Sequence, residues 1–435
     1  MFDILFENAT IITMTDNGVI YNGCCAVEGH KIIYVGNKLP DCTDTKRVID
    51  CKGNILMPGL INCHTHNAMT VLRGYSDDLS LNDWLFKHIF PAEAKLDYKS
   101  VEAGFTLGLA EMIASGTTAF CDMYFYSDKT AQIADKSGIR AVMSNSVIAL
   151  SDDYDFDSDR AVTELYSMIE NKALSDRIIP AAAIHCERTS PPWVWERESK
   201  IAKDYDLIMN IHLSETESDQ NQCYEQYGKT PAEILNERGV FDTKTIAAHC
   251  VHLSESDMKL LADKGVTAVH NPVSNLKLAS GVADVCKMIK FGVNVALGTD
   301  GCSSNNTLDM FEEMKAAALL AKNKSKAPEN FTAHNAIELA TVNGAKALGL
   351  ENKTGKISPG LEADIILIDM SKLHRIPMYD AESSVVYCLG GGDVYMTMVQ
   401  GKILYENGIF NTIDINSAIK TVKEYVMPIV RSVDK

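Results

Sequence analysis

The chain has 435 residues, 46% of them hydrophobic, and can bury the core of one large domain together with a smaller one. Its 41 lysines and arginines against 58 aspartates and glutamates give a net charge of −17 without any basic block, which argues against nucleic acid and anionic membranes as partners. No apolar run reaches the roughly 18 residues of a membrane span, and the first residues lack the lysines of a signal peptide. The twelve cysteines form no C-x-x-C pair, which suits a reducing compartment, and we expect a cytoplasmic protein.

Both ends of the chain show short strands at hairpin spacing. The segments ILFENATIITM and CCAVEGHKIIYVG lie near the N-terminus, and ADIILIDM and VYMTMVQGKILYENG lie near the C-terminus. Alternating apolar residues bounded by turn residues are typical of paired strands. We predict that residues 1–56 and 350–410 form one small β-domain, and that residues 411–435 form a C-terminal helical segment.

Between these ends, short apolar runs alternate with amphipathic stretches. The runs are ILMPGLINCHTH, GTTAFCDM, GIRAVMSN, RIIPAAAIHCE, DLIMNIHLSE, KTIAAHC, GVTAVHN and GVNVALGTD. Strands that are continuously apolar are buried on both faces, as they are in parallel sheets covered by helices. The eight runs therefore predict an α/β fold in which residues 57–349 form a TIM-type (β/α)8 barrel.

Polar residues end most of these predicted strands. They are His64, His66, Asp122, His185, His212, His249, His270 and Asp300. The active site of a (β/α)8 barrel is built at the C-terminal ends of its strands. A single histidine there could be satisfied by a backbone carbonyl, but six of the eleven histidines at strand ends indicate a functional cluster.

The first of these strand ends carries a pair of histidines. Residues i and i+2 of a strand point to the same face, so His64 and His66 are directed together into the barrel mouth. A divalent ion removes the cost of burying two imidazoles by binding their lone pairs. A third nitrogen from His212 and a carboxylate from Asp300 would complete a set for Zn²⁺ or Fe²⁺ with a position left for water. We expect one divalent metal per chain, zinc in preference to iron.

Longer motifs surround these residues, namely PGLINCHTHNAMTVLRG, IHLSETESD, AAHCVHL, HNPVSNLKLASG and LGTDGCSSNNTLDMFEEM. They resemble the amidohydrolase superfamily, and specifically its 5′-methylthioadenosine/S-adenosylhomocysteine deaminases, over about residues 2–410. The resemblance implies a distorted (β/α)8 barrel with a small β-sandwich formed by both termini. It also implies the hydrolytic deamination of an adenine nucleoside at a metal centre.

The resemblance assigns roles to the polar residues. The metal ligands would be His64, His66, His212 and Asp300. Glu215 would contact the substrate and protonate the ring nitrogen next to the attacked carbon, because a neutral purine is a poor electrophile. His249 would orient the attacking water and stabilise the forming oxyanion, and Asp300 would accept the water's proton. The alternative for Glu215 is a solvated carboxylate in the acidic run SETESD.

The resemblance also suggests substrate-binding residues. Glu93 matches an acidic residue that binds the ribose hydroxyls, although a glutamate after Pro91 could simply begin a helix. His185 matches a residue that contacts the base or the ribose, but its surroundings, IHCERTSPPWVW, depart from the family pattern. Arg160 matches an arginine that binds the homocysteine carboxylate, or it is a solvated arginine at a helix start. A second arginine of relatives, after the third strand, has no counterpart here.

Three functions are compatible with these residues. The first is a metal-dependent deaminase of 5′-methylthioadenosine, S-adenosylhomocysteine, adenosine or 5′-deoxyadenosine. The second is a hydrolase of another amino- or chloro-substituted heterocycle, such as a triazine or another purine, and the third is a non-catalytic metal-binding homologue. We expect a small-molecule nucleoside as partner and a homo-oligomeric assembly. The sequence assigns no role to Trp193, Trp195 or His270, and a strong preference for S-adenosylhomocysteine would require a further cation such as Arg188.

Overall fold

The N-terminal part of the chain forms the first strands of a sheet. The structure is a computed structural model that describes residues 1–38, 44–151 and 154–433. The first strands are β1 (Phe2–Ile12), β2 (Val19–Glu28), β3 (Lys31–Gly36), β4 (Thr45–Asp50) and β5 (Ile55–Pro58). Strand β1 pairs antiparallel with β2 and parallel with β4 and β5, so it holds this part of the sheet together.

The barrel follows directly. Its strands are β6 (Leu60–Thr65), β7 (Thr117–Met123), β8 (Arg140–Ser144), β9 (Ile178–Ile184), β10 (Ile208–Leu213), β11 (Thr245–His249), β12 (Thr267–His270) and β13 (Asn294–Leu297). Within the described residues these eight strands are parallel and hydrogen-bond in sequence order. The backbone N–H of Asp300, just beyond β13, donates to the carbonyl of His64 in β6 at 2.9 Å. This bond joins the last strand to the first and confirms the predicted α/β barrel.

Helices connect and cover the barrel strands. They are α1 (Leu81–Asp83), α2 (Phe90–Glu93), α3 (Tyr98–Ala114), α4 (Ser127–Ser137), α5 (Arg160–Glu170), α6 (Pro192–Asp204), α7 (Glu217–Tyr227), α8 (Pro231–Glu237), α9 (Glu255–Lys264), α10 (Pro272–Lys277), α11 (Val285–Lys290), α12 (Met310–Ser325), α13 (Ala333–Ala340) and α14 (Val342–Ala347). Capping boxes start several of them, for example Thr216 with Asp219 at α7. None of the helices in the described ranges combines the length and the apolar character that a membrane crossing requires.

The C-terminal part of the chain returns to the first sheet. It contains β14 (Ile365–Ile368), α15 (Ala381–Tyr387), β15 (Val394–Val399), β16 (Lys402–Glu406), β17 (Ile409–Phe410), α16 (Ile415–Thr421) and α17 (Met427–Val430). Strand β14 lies antiparallel between β5 and β15, so strands from both termini share one sheet, as predicted. The domain boundaries given above stay predictions.

The first apolar run of the barrel is divided where the sequence suggested one strand. Strand β5 ends at Pro58 and belongs to the terminal sheet, whereas β6 begins at Leu60 and belongs to the barrel. Between them, a Cβ on Gly59 would lie 2.1 Å from the side chain of Thr118. The close approach of Thr118 therefore requires glycine at the point where the chain changes sheets.

A buried ion pair fastens the terminal sheet to the barrel. Arg140, on β8, is 1% exposed, and its Nε donates to Oδ2 of Asp364 at 2.6 Å. Its Nη2 also donates to Glu362 and to the second oxygen of Asp364. Both carboxylates immediately precede β14, so the guanidinium fixes the terminal sheet against the end of the barrel opposite the histidines.

Candidate active site

Four predicted side chains converge at the C-terminal ends of the barrel strands. Asp300 Oδ1 lies 3.4 Å from Nε2 of His64 and 3.3 Å from Nε2 of His66. The Nε2 atoms of His66 and His212 are 3.3 Å apart. Two overlapping groups among the described residues could hold a metal ion, His64 with His66 and His212, and His64 with His249 and Asp300.

Backbone carbonyls orient two of the histidines. Nδ1 of His66 lies 2.6 Å from the carbonyl of Met123, and Nδ1 of His212 lies 2.7 Å from the carbonyl of His185. A carbonyl only accepts, so each Nδ1 carries the proton and each Nε2 keeps a lone pair. These lone pairs are directed into the space between the rings, as in a metal-binding site.

His64 provides the test of whether a metal fits. It is fully buried, and neither ring nitrogen has a hydrogen-bond partner among the described residues. Burial lowers the pKa of His64 to about 4, so the ring is neutral near pH 7 and its lone pair is available. Burying an unsatisfied imidazole is costly, and three nitrogens with one carboxylate oxygen form a donor set that fits Zn²⁺ or Fe²⁺.

Two serines hold the carboxylate of Asp300. Oδ2 accepts hydrogen bonds from Ser274 Oγ at 2.6 Å and from Ser304 Oγ at 2.8 Å. Because Oδ2 is occupied in this way, Oδ1 is the oxygen that faces the histidines. Asp300 has a φ of 63°, a left-handed conformation that an aspartate adopts only where its surroundings enforce it. The sequence analysis did not identify either serine.

Glu215 and His249 lie beside this cluster. The carboxylate Oε2 of Glu215 is 3.8 Å from Nε2 of His249, and Oε1 accepts from Ser280 Oγ at 3.2 Å. Nδ1 of His249 lies 2.9 Å from Oδ1 of Asn275, which fixes the ring so that Nε2 faces Glu215. Burial raises the pKa of Glu215 above its usual value. A carboxyl group with a raised pKa next to a cavity is suited to carrying a proton.

Glu93 has a partner that the sequence did not predict. It ends α2, is 7% exposed, and accepts a hydrogen bond of 2.7 Å from the phenol of Tyr124. Burial raises the pKa of Glu93 to about 7. The other oxygen of the carboxylate has no hydrogen-bond partner among the described residues and can accept from a ligand hydroxyl.

A cavity of about 900 Å³ opens onto these groups. Its lining includes most of the predicted polar residues: His66, Glu93, His185, His212, Glu215, His249 and Asp300. Apolar walls come from Trp84, Leu85, Phe90, Phe125 and Leu278. Burial lowers the pKa of His185 to about 3, so this ring is neutral, and its Nδ1 has no partner in the described part of the chain. The combination of apolar walls with a few convergent polar groups is typical of a small-molecule site.

Of the four residues predicted to bind the substrate, Arg160 alone is not part of the cavity lining. Its guanidinium stacks over Phe125 and Tyr126 at 4.8 and 4.7 Å, and its Nε is 3.5 Å from Glu164. Arg160 thus contacts Phe125, a residue of the cavity lining, without lining the cavity itself. Arg188, in contrast, lines it.

Other residues noted in the sequence have structural contacts. Oδ1 of Asp122 accepts from the backbone N–H of Asn67 at 2.7 Å and stabilises the turn after β6. Trp195 is buried and donates to Ser190 Oγ at 3.0 Å. His270 is buried at the end of β12 and does not line the cavity.

Comparisons with known proteins agree with this site. The model of the amidohydrolase family matches residues 55–404. A 5′-deoxyadenosine deaminase of Methanosarcina mazei is 44% identical, over 98% of this chain and 99% of the relative. A 5-methylthioadenosine/S-adenosylhomocysteine deaminase of Acetivibrio thermocellus is 42% identical, over 99% and 100%.

A solved structure is also similar over nearly the whole chain. The crystal structure of an adenosine deaminase from Xanthomonas campestris with bound zinc has a TM-score of 0.93 and 32% identity, and the match covers 99% of both chains. The matched family model and these relatives confirm the resemblance derived from the sequence motifs. The chain belongs to the amidohydrolase family.

Proposed function

We propose that the protein is a metal-dependent hydrolytic deaminase that converts an adenine nucleoside to the inosine analogue and ammonia. The observation that carries the proposal is the convergence of three histidines and Asp300 beside Glu215, a partly buried carboxyl group, where a cavity opens onto them. The names of the three similar proteins described above, each a deaminase of an adenine nucleoside, support it. Candidate substrates are 5′-deoxyadenosine, 5′-methylthioadenosine, S-adenosylhomocysteine and adenosine.

The metal would be held by His64, His66, His212 and Asp300. When bound, a divalent ion lowers the pKa of water to about 7 and supplies hydroxide near neutral pH. We propose zinc rather than iron, because three imidazole nitrogens and one carboxylate oxygen suit zinc and because the similar structure from Xanthomonas campestris contains it.

The protein's own groups would move the protons. Water adds to the purine carbon that carries the amino group, and Asp300 accepts the proton that this water loses. Glu215 gives its proton to the neighbouring ring nitrogen, which its raised pKa favours. His249, whose Nδ1 donates to Asn275, presents the lone pair of Nε2 and accepts a hydrogen bond that orients the attacking water. The predicted contact with the oxyanion would require a second proton on this ring. The carbon–nitrogen bond then breaks, and the amino group leaves as ammonia with the proton that Asp300 had accepted. The ring nitrogen keeps its proton, and the added hydroxyl becomes the carbonyl by returning its proton to Glu215.

The nucleoside would be bound by residues of the cavity wall. Glu93 accepts hydrogen bonds from the ribose hydroxyls through the oxygen that Tyr124 does not occupy. His185, a neutral ring in the cavity lining, contacts the base or the ribose. The assignment of a substrate carboxylate to Arg160 stays a prediction.

We also propose that the enzyme works in the cytoplasm as a homo-oligomer. The cysteines of the described residues are all free, and most are buried, which supports a reducing compartment. The exposed apolar side chains of Leu373, Ile376 and Tyr379 support an assembly with another copy. Sedimentation at several protein concentrations tests the assembly.

An ammonia-release assay tests the proposed reaction. The zinc-loaded protein is incubated with the four adenine nucleosides, with guanine and with a chlorotriazine, and ammonia or chloride is measured. We expect ammonia from at least one nucleoside and nothing from the other two compounds. If only guanine or the triazine releases a product, the protein is a hydrolase of another heterocycle and the proposal is wrong. If no compound releases ammonia or chloride, the protein is a non-catalytic metal-binding homologue.

A further inference from the structure

Arg188 has a special position in the cavity. It is the one lysine or arginine among the described residues that line the cavity, which also contains the carboxyl groups of Glu93, Glu187, Glu215, Asp219 and Asp300. It lies in a short 3₁₀ turn, Glu187–Thr189, between β9 and α6. A guanidinium that keeps free N–H groups would bind an anionic group of a ligand.

Asp219 already contacts one edge of the Arg188 guanidinium. Nε of Arg188 lies 2.8 Å from Oδ1 of Asp219, an ion pair whose N–H is not aligned with the oxygen. Asp219 is itself fixed, because Oδ2 accepts the backbone N–H of Thr216 at 2.8 Å in the capping box of α7. The side chain of Arg188 is 24% exposed, and its terminal nitrogens donate to no residue that the structure describes. The two terminal nitrogens of the guanidinium are therefore available for a bidentate contact with a ligand.

A second cavity of about 790 Å³ adjoins the first at this arginine. Glu187 and Arg188 line both cavities. The other walls of the second cavity include apolar side chains of Leu150, Pro191, Pro192, Trp193 and Tyr227. A ligand that extends past Arg188 would therefore pass from the nucleoside site into a partly apolar space.

We propose that this second cavity receives an extended 5′ substituent of the substrate, and that Arg188 is a specificity-determining residue that binds a carboxylate on it. The proposal rests on the proposed function. The chemical class is a 5′-thioether that ends in an α-amino acid, as in S-adenosylhomocysteine. The thioether chain would lie against Trp193 and the prolines, and the carboxylate would bind the terminal nitrogens of Arg188.

Glu187 completes the recognition of such a zwitterion. It is 4% exposed, and its Oε1 has no hydrogen-bond partner among the residues that the structure describes. An ammonium group beside Arg188 would pair with the carboxylate of Glu187, which lines both cavities. A neutral 5′-methyl or 5′-methylthio group would reach neither side chain, so only the longer substrates would depend on them.

The experiment compares kcat/KM for S-adenosylhomocysteine with that for 5′-methylthioadenosine in matched variants. For Arg188→Met we expect the ratio of the two values to fall by about tenfold or more, as for the loss of a bidentate charge-assisted contact. Arg188→Lys keeps the charge but loses the paired N–H donors of the guanidinium. Its ratio of the two kcat/KM values is expected to lie between those of Arg188→Met and the wild type. Arg197→Met is the control, because Arg197 is exposed and pairs with Asp157 outside both cavities. Its ratio is expected to equal that of the wild type.

Trp193→Ala provides a second test, because Trp193 is 41% exposed and its truncation leaves the core intact. We expect this variant also to lower the ratio. Equal losses for both substrates in Arg188→Met would show a purely structural ion pair with Asp219 and overturn the proposal. A ratio that falls in Arg160→Met but not in Arg188→Met would overturn it in favour of Arg160.

The outcome for the wild type separates this proposal from the proposed function. If 5′-methylthioadenosine or 5′-deoxyadenosine is deaminated while S-adenosylhomocysteine is neither a substrate nor a competitive inhibitor, the second cavity does not bind the substituent. If no adenine nucleoside is deaminated, the proposed function itself fails.

Discussion

The phenol of Tyr124 donates a hydrogen bond of 2.7 Å to Oε1 of Glu93, and both side chains are buried in the cavity wall. The preceding residue, Met123, accepts from Nδ1 of His66 through its backbone carbonyl at 2.6 Å. Two consecutive residues at the end of β7 thus position a histidine of the metal-binding group and the carboxylate proposed for the ribose. The distance between the two ends of the site is therefore set by a strand end, which is more rigid than a loop.

We expect Tyr124→Phe to weaken binding of the ribose. Removing the hydroxyl leaves Glu93 buried with one fewer donor and free to rotate, a loss of about 1 kcal/mol, or roughly fivefold in kcat/KM. The loss should appear mainly in KM for 5′-deoxyadenosine. It should be absent for an analogue that lacks the 2′ and 3′ hydroxyls, and an equal loss for both compounds would assign Tyr124 a structural role only.

Metal content gives a second prediction. His66→Ala removes one nitrogen of the group that could hold the ion, so both bound metal, measured by elemental analysis, and turnover should fall. The wild type should lose thermal stability when a chelator removes the metal, because a ligand of the folded state stabilises it. His30→Ala is the control, since His30 is exposed in the turn between β2 and β3. Full metal occupancy with unchanged turnover in His66→Ala would refute the assignment.

The barrel and the cluster of polar strand ends could be predicted from the sequence. Parallel strands covered by helices are apolar throughout, and their C-terminal ends meet at one face of the barrel. These two facts bring His64, His212 and Asp300 together although they are far apart in the chain. The prediction needed no knowledge of the loops.

The partners that orient these groups could not be predicted in the same way. Ser274 and Asn275 lie in α10, and Ser304 lies in the loop before α12, so their contacts depend on how those segments are placed. The same reason separates Arg160 from Arg188. Both follow barrel strands, but Arg160 stacks on Phe125, whereas Arg188 lines the cavity. Residue spacing carries no information about such a difference.

Glu215→Gln tests the proposed proton transfer. The substitution keeps the size and the contact with Ser280 but removes the acidic proton, so turnover should fall by roughly two to four orders of magnitude. Bound metal should be retained, and KM should change little. Glu217→Gln, two residues further on and exposed, should behave as the wild type. If Glu215→Gln kept more than a third of the turnover, another group would have to supply the proton.

The last prediction concerns stability and pH, and it depends on Glu198 in α6. This side chain is 1% exposed, and its Oε2 has no hydrogen-bond partner within the described ranges. Burial, together with the nearby Asp159, raises the pKa of Glu198 to about 8 from 4.5. Between these two values the folded chain binds a proton that the unfolded chain does not, so the free energy of unfolding falls as the pH rises through this window.

Glu198→Gln should remove that contribution, because glutamine has nearly the same shape and no charge to bury. Compared with the wild type, the variant should have a similar Tm near pH 5 and a higher Tm above pH 8, where the gain in unfolding free energy is on the order of a few kcal/mol. Thermal unfolding followed across this pH range measures the difference. Glu196→Gln is the matched control, since Glu196 lies in the same helix but is half-exposed and paired with Arg238. A pH dependence of Tm that is the same in Glu198→Gln and the wild type would show that Glu198 ionises without cost in the folded protein.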